Sequence, residues 1–371
     1  MIIKPILYSY PDLDLIEDKN SFFESIKEEY PKIKDTNIIK TAKKPAIFVY
    51  IIRTKTRFYH GILAGVDIDE YLNGKILKHE NTLLAQEKKI ASLTIQRSAI
   101  IKPVLLAYKN NQKINELIAK AFLGNKPKLK IKFEKDNQLH EIYSIDTVTD
   151  IKAFQREFKN KVNKSYIADG HHRMSTIKML IDERPELKNK GLSTILCALF
   201  TFSELDIYPY NRLVHILDLI DIEVVLKQLE PFAEIVQLKT IRVPLKKGEI
   251  IMHSHDSIYS IVWRKEIIKN RKNNYPVQFD IDLFNDIVLN EIFNIQDLRS
   301  NPRIHYVEAP KGNKLLLKAI QENKELLGFS FFPIKKSHFI KIANENLILP
   351  PKSTWFEPRI RNGLIIQKIF E

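Results

Sequence analysis

A run of strand-forming residues, Lys164 to Ala168, ends at Asp169-Gly170-His171-His172-Arg173. A helix-periodic run begins directly after it with Met174, Ile177, Leu180 and Ile181. A chain can pass from strand to helix across so few residues only by a sharp turn. The glycine supplies one, because without a Cβ it adopts backbone angles closed to other residues and approaches a ligand closely. The amides that open the helix, and the dipole behind them, attract an anion. Two imidazoles and a guanidinium within the same five residues can close around that anion, so the segment predicts a phosphate site. The plainer alternative is a solvated turn, since an isolated Asp-Gly is most often just that and paired histidines in a first helical turn often face water. Asp169 suits a phosphate site only if its carboxylate holds a metal ion or orients a histidine, because on its own it repels phosphate.

With 371 residues, 44% of them hydrophobic and 28% charged, the chain has material for two or three packed layers in two lobes. Its one cysteine, Cys197, lies in the apolar run Ile195 to Phe200; it excludes an intramolecular disulfide and reads as a small core residue. No signal-peptide pattern opens the chain, and no apolar run reaches the roughly 20 residues of a membrane span, so a cytoplasmic protein with no membrane partner is expected. The formal charge of +14 invites a nucleic-acid reading. The basic residues are nevertheless spread along the chain and broken by apolar positions, and no zinc-finger spacing or recognition helix is visible. Solvated edges account for them, and nucleic acid is not the expected partner.

Pro45 to Arg53 and Phe58 to Val66 are rich in β-branched and aromatic residues and predict a hairpin across Thr54 to Arg57. A helix from about Thr82 to Arg97 leads to a strand from Lys102 to Tyr108. Helices are expected at Ile114 to Leu123 and Asp150 to Phe158, with strands Lys128 to Phe133 and His140 to Ser144 between them. Beyond the junction come a buried strand, Ile195 to Phe202, a helix, Val224 to Phe232, and alternating strands between Glu234 and Trp263. Asp282 to Phe293 has the spacing of an amphipathic helix, and Asn362-Gly363 predicts a hairpin ahead of a strand from Leu364 to Phe370. The class is α+β, mixed sheets with flanking helices. An N-terminal α+β lobe over 1–205 carries the Asp-Gly-His-His-Arg segment, and a C-terminal α+β lobe over 206–371 contributes the Pro-Pro-Lys-Ser-Thr loop.

Other constellations are weaker. His79-Glu80 opens like a zinc-protease motif, but position 83 is leucine, which leaves Glu80 as a free carboxylate or a helix-start acid. Lys352-Ser353-Thr354 copies the end of a P-loop without its glycines; Pro350 and Pro351 stiffen the backbone instead and could present the lysine and hydroxyls to an anion, or simply shape a surface hairpin. Glu357, Arg359 and Arg361 add a possible carboxylate or phosphate clamp.

Taken together, several blocks resemble the domain-of-unknown-function family 1015. They are Tyr71 to Thr82 (YLNGKILKHENT), Lys102 to Tyr108 (KPVLLAY), Tyr166 to Arg173 (YIADGHHR), Tyr210 to Val214 (YNRLV), Asp297 to Tyr306 (DLRSNPRIHY) and Pro350 to Leu364 (PPKSTWFEPRIRNGL). The resemblance runs roughly from Pro45 to the C-terminus, and in this order and spacing the set is specific. The Asp-Gly-His-His-Arg segment is similar to one in free-serine kinases of the ParB/sulfiredoxin-like class, where it binds nucleotide phosphates and a glutamate elsewhere is the base for the serine hydroxyl. Partition proteins of that class bind a nucleotide with a related loop.

The resemblance implies a ParB/sulfiredoxin-like nucleotide-binding core plus a C-terminal α+β lobe. It also implies a nucleotide-dependent phosphotransferase acting on a small hydroxy amino acid such as serine, in the kinase direction or as phosphoserine dephosphorylation, with ATP or ADP and Mg²⁺. Glu80 would be the general base, acting with Asp169 and His172. Gly170, His171, His172 and Arg173 would hold phosphoryl oxygens, and Asp169 would steer the Mg²⁺ or a histidine. Arg299, Arg303, Lys352 and Ser353 would bind the carboxylate or phosphate of the substrate. The alternative is a non-catalytic nucleotide-binding regulator or DNA-associated adaptor of the partition-protein type. The chain departs from the family pattern before Pro45 and again at Leu83 to Ala91 (LLAQEKKIA).

Overall fold

Residues 47–53 and 58–67 pair antiparallel across the polar turn at Thr54 to Arg57, with Val49 opposite Ile62 and Ile51 opposite His60. This hairpin lies within a nine-stranded mixed sheet in the computed structural model, which describes residues 1–216, 221–270, 277–298 and 300–370. In chain order the strands are β1 (Ile3–Lys4), β2 (Ile47–Arg53), β3 (Phe58–Asp67), β4 (Ile76–Leu77), β5 (Val104–Tyr108), β6 (Leu129–Phe133), β7 (Gln138–Ile145), β8 (Ser165–Asp169) and β9 (Thr194–Thr201). In space they run β4-β8-β5-β9-β3-β2-β7-β6, with β1 added to β3. Strands β2, β5 and β9 are buried on both faces, which is why they read as unbroken apolar runs. Edge strand β6 alternates buried and exposed positions, as expected of a strand with one wet face. Cys197, on β9, is fully buried.

The chain divides into two units, Met1–Asp206 with Pro358–Glu371, and Ile207–Glu357. The last segment, which the sequence places in the second lobe, thus folds with the first unit. The hairpin expected at Asn362-Gly363 does not form. Gly363 does turn, at φ +71°, but the strand that follows, Ile366–Lys368, pairs with Tyr8–Pro11 and Ala99–Ile100. A turn signal is local, whereas the choice of partner is set by burial: Ile366 is fully buried in a cluster with Ile26, Tyr30 and Ala99.

The second unit is built on an antiparallel sheet of β10 (Tyr210–His215), β11 (Ala233–Gln237), β12 (Glu249–His253), β13 (Ile258–Trp263), β14 (Ile304–Glu308) and β15 (Leu326–Phe331), ordered β11-β13-β12-β15-β10-β14. The helix expected over Asp282 to Phe293 is a short α-helical turn, Asp280–Leu283, running into a π-helical stretch, Phe284–Ile292. Among the described residues no helix is long and apolar enough to cross a membrane.

Each unit buries titratable groups, with opposite consequences in acid. In the first, burial holds His79, His140 and His171 below the ordinary imidazole range, His171 at about 3. In the second, burial lowers His253 to about 4 but raises the carboxyls of Asp280 and Asp282 to about 7. A histidine kept neutral by folding stabilises fully above its unfolded value of 6.5. That stability falls as pH drops further, because the unfolded chain takes up a proton that the folded one refuses. A carboxyl kept protonated by folding does the reverse, losing stability as pH rises from about 4 towards 7. Each group changes stability by about 1.4 kcal/mol per pH unit in its window. From about pH 6.5 to about pH 4.5 the first unit therefore loses stability while the second holds or gains it. Amide hydrogen exchange followed by mass spectrometry should show protection lost in β2, β5 and β9 ahead of β12 and β15; the opposite order would overturn the assignment.

Candidate phosphate site at a strand–helix junction

Strand β8 ends at Asp169, and Gly170, at φ +107° and ψ 28°, turns the chain into the helix His171–Glu183. The main-chain N–H of Met174 donates to the Gly170 carbonyl at 3.0 Å and closes the first turn. A Cβ at position 170 would lie 2.5 Å from Nη2 of Arg173. The left-handed backbone therefore calls for glycine, and any Cβ there would displace the guanidinium that folds back across the turn. From there Arg173 Nη2 donates to Asp169 Oδ2 at 2.9 Å.

The second wall of the site follows from a parallel pairing. β4 lies beside β8, with Ile76 opposite Ser165 and Leu77 opposite Tyr166, so the residues after Leu77 leave the sheet alongside those after Tyr166. Glu80, three residues beyond Leu77, lies beside the helix start that follows β8, at a strand end where open sheets of this kind commonly place ligands. Glu80 Oε2 is 3.6 Å from His171 Nδ1, and the His79 ring meets His171 edge-on at 4.4 Å. The main-chain N–H of His79 donates to His171 Nε2 at 3.5 Å. Burial keeps His171 neutral, and an Nε2 that accepts must carry its proton on Nδ1, the nitrogen facing Glu80. Thr82 Oγ1 donates to Ser175 Oγ at 3.4 Å, and Thr176 Oγ1 donates to the Glu87 carbonyl at 3.3 Å, tying the Glu80 segment and the helix Leu84–Arg97 to the helix His171–Glu183.

Asp169 gathers cations. Lys102 Nζ lies 3.2 Å from Oδ2 and Arg359 Nη1 lies 3.9 Å from Oδ1, beside the Arg173 contact. Burial works to raise the Asp169 carboxyl, but Arg173, Lys102 and Arg359 outweigh it and hold the group far below the usual carboxylate range. Burial, with repulsion from Arg173, brings Lys102 down to about 8 although Asp169 opposes the shift. Three cations around one carboxylate, at a helix start, leave an excess of positive charge suited to an anion. The same set suits a resident Mg²⁺ poorly. Both Asp169 oxygens already face cations, and among the described residues no cluster of three His, Cys, Asp or Glu side chains could hold a metal. The expectation that Asp169 steers Mg²⁺ thus meets a carboxylate surrounded by cations, a counter-ion by geometry.

Lys102 stands in one of the blocks noted in the sequence without a role there; the available signal was a lone lysine entering a strand buried throughout. Arg359 belongs to the C-terminal clamp cluster, and the return of 358–371 to the first unit brings it to Asp169. His172, partly buried, occupies the first turn of the helix beside His171. Arg299 lies outside the described residues. Arg303 is committed to main chain, with Nε donating to the His215 carbonyl and Nη1 to the Phe293 carbonyl, both at 3.0 Å. It ties segments of the second unit together, so its sequence-based assignment to substrate gives way to a structural role. Lys352 is exposed, with φ +56° and its Nζ 5.2 Å from the centre of the Tyr210 ring. Ser353 is buried and its Oγ donates to the Pro350 carbonyl at 2.7 Å. Both belong to the second unit, where buried Arg212 holds their loop by donating to the carbonyls of Pro351 and Lys352 at 3.3 and 3.0 Å.

No curated protein matches the sequence. Among solved structures the chain is similar to C-terminally truncated SbnI from Staphylococcus aureus, with 12% identity, a TM-score of 0.45, and 83% of this chain and 87% of that one covered. It is also similar to a free serine kinase variant in complex with ADP, with 12% identity, a TM-score of 0.38, and 81% and 92% covered. A conserved hypothetical protein from Pyrococcus furiosus gives 14% identity, a TM-score of 0.36, and 83% and 95% covered. The profile of the proteins of unknown function designated DUF1015 matches residues 7–284. That span starts well before Pro45, where the resemblance was expected to begin, and stops short of the blocks at Asp297 to Tyr306 and Pro350 to Leu364. It covers most of the 371 residues, and the chain belongs to the DUF1015 family.

Proposed function

We propose that this protein is a nucleotide-dependent phosphotransferase acting on a small hydroxy amino acid such as serine, as a kinase or by removing phosphate from phosphoserine. One observation carries the reading: the Glu80 carboxylate lies 3.6 Å from His171, at the same helix start where Arg173, Lys102 and Arg359 gather around Asp169. Phosphoryl transfer needs positioning, neutralisation of the charge on the equatorial oxygens, and an acceptor for one proton. The first amides of the helix, with Arg173, Lys102 and Arg359, hold the phosphates of ATP or ADP. Asp169 aligns these cations. Glu80 takes the hydroxyl proton of the amino acid as its oxygen bonds to phosphorus and the bond to the nucleotide oxygen breaks, while the Nδ1 edge of the neutral His171 faces the Glu80 carboxylate at 3.6 Å. A divalent ion, where the nucleotide brings one, is held by the phosphate oxygens themselves, and no step draws on it from the protein. The substrate class comes from the likeness of the Asp-Gly-His-His-Arg segment to that of free-serine kinases.

A ³¹P NMR assay tests this, with ATP, ADP or phosphoserine as donor, serine as acceptor, and Mg²⁺ present. A growing phosphoserine resonance from ATP or ADP, or its loss when phosphoserine is supplied, is the expected result. Nucleotide binding with no transfer under any of these conditions would favour a regulator instead. Salt-sensitive binding to duplex DNA would favour the adaptor reading.

A further inference from the structure

In the second unit, residues 238–248 (LKTIRVPLKKG) join β11 to β12. Burial alternates along the middle of this loop in the reverse of the usual sense. Pro244 is buried and Arg242 half-buried, while Ile241, Val243 and Leu245 are 55%, 58% and 71% exposed. Leu245 is the most exposed large apolar side chain among the described residues. A loop that keeps three aliphatic side chains in water and turns its arginine towards the protein gains nothing from the hydrophobic effect by doing so. Glu249, buried at the start of β12, imposes the arrangement. Its carboxylate accepts from Arg242 Nη2 at 2.5 Å and from the main-chain N–H of Leu245 at 2.6 Å, and Ser260 Oγ on β13 donates to it at 2.6 Å. Burial works to raise this carboxyl, but the three bonds bring it down to about 2, so it stays charged. One anion thus pins the loop at Arg242 and at Leu245, and the aliphatic ridge is held outward.

The charge around the ridge is of one sign. Residues 238–248 contain Lys239, Arg242, Lys246 and Lys247 and no acid, and with Arg242 engaged by Glu249 the three lysines remain, all exposed. Lys335 and Lys341, also exposed, join Lys247 around His338, whose imidazole is lowered by burial and by these three charges. Asp280 and Asp282, the acids beside Lys247, are raised by burial to about 7 and offset the lysines only in part at neutral pH. The composition separates two kinds of partner. Protein interfaces draw their energy from Trp, Tyr and Arg anchors and are poor in lysine, whereas this ridge offers aliphatic side chains and lysines, with its arginine turned inward. A lipid surface takes aliphatic groups without demanding a matching shape, and anionic headgroups attract lysines as point charges.

We propose that residues 239–247 form a membrane-contact loop, in which Ile241, Val243 and Leu245 enter the acyl boundary of an anionic bilayer while Lys239, Lys246 and Lys247 lie among its headgroups. The expectation of no membrane partner rests on the absence of a spanning run, which a surface loop does not need. The loop belongs to the second unit, and its role stands without the transfer reaction proposed for the first.

Flotation of the full chain with phosphatidylcholine vesicles, made with and without phosphatidylserine, tests the proposal. The chain should float with vesicles that contain phosphatidylserine, stay behind with phosphatidylcholine alone, and be released as salt rises. Lys246→Gln with Lys247→Gln should weaken partitioning about fivefold per lysine. Val243→Ser with Leu245→Ser should weaken it about tenfold or more. All four positions are exposed, so the unfolding temperature of both double variants should stay near that of wild type. Since the one native cysteine, Cys197, is buried, Leu245→Cys accepts a single environment-sensitive dye, and its emission should shift to the blue on phosphatidylserine vesicles. The proposal is overturned by no flotation with anionic vesicles, by flotation unchanged in the Val243→Ser, Leu245→Ser variant, or by a dye that stays in water while the chain floats. Self-association that this variant abolishes, without flotation, would assign the ridge to a second copy of the chain and overturn the proposal as well.

Discussion

Glu80→Gln removes phosphoryl transfer, lowering kcat by about 10²–10⁴-fold, the usual worth of a general base, while nucleotide affinity stays within about twofold of wild type. The substitution isolates the proton acceptor. Glutamine matches the size and shape of glutamate beside His171, so the loop geometry persists, but a neutral amide cannot take the serine hydroxyl proton. The three cations proposed to hold phosphate, Arg173, Lys102 and Arg359, gather on Asp169 and not on residue 80. Loss should therefore appear in kcat and kcat/KM together, with no compensating rise in KM for nucleotide. Initial rates of phosphoserine formation and calorimetric titration of ADP into the same preparations provide the two readouts. A variant as fast as wild type would remove Glu80 from the mechanism. A variant that lost ADP binding along with transfer would make Glu80 a binding or structural residue.

The junction that anchors this site is legible in sequence because its physics is local. A strand run, a glycine and a helical period lie within a dozen residues, and Gly170 adopts the positive φ that such a join demands. Buried strands such as β5 and β9 are legible for a related reason, since burial on both faces leaves nothing polar to interrupt them. The partners of the junction are not local. Glu80 reaches His171 only through the parallel register of β4 on β8, and Lys102 reaches Asp169 because β5 lies on the other side of β8. Arg359 arrives from a tail that the sequence assigns to the other lobe. Turn chemistry at Asn362-Gly363 correctly announces a reversal but not the strand that receives it, which depends on a hydrophobic cluster drawn from residues 26 to 366. Charge is the least legible of all. A lone arginine such as Arg303 looks like a ligand in sequence, yet two carbonyls of its own unit absorb its donors.

Asp169→Asn tests the electrostatic core of the site. In the ligand-free protein it should lower Tm by roughly 3–10 °C, equivalent to about 1–3 kcal/mol, because Arg173, Lys102 and Arg359 lose the carboxylate they share. The lower part of that range applies to the extent that the 29% exposure of the Asp169 side chain admits screening. The loss carries a pH signature. Folding holds this carboxyl below its ordinary value of 3.8, so its contribution is fully present above that value and disappears as pH falls through and below it. The gap between wild type and variant at neutral pH should accordingly narrow in strong acid. Saturating ADP should narrow it too, since phosphate oxygens supply the missing negative charge, and ADP should bind the variant more tightly than the wild type because a carboxylate that repels phosphate is gone. These measurements are made by thermal unfolding and calorimetry with EDTA present, then repeated with Mg²⁺. A carboxylate that steers a metal predicts the contrary pattern, with ADP binding to the variant impaired when Mg²⁺ is present and unaltered in EDTA. A variant whose ligand-free Tm equals that of wild type would show that the three cations do not depend on Asp169, and the cradle would have to be assigned to the helix amides alone.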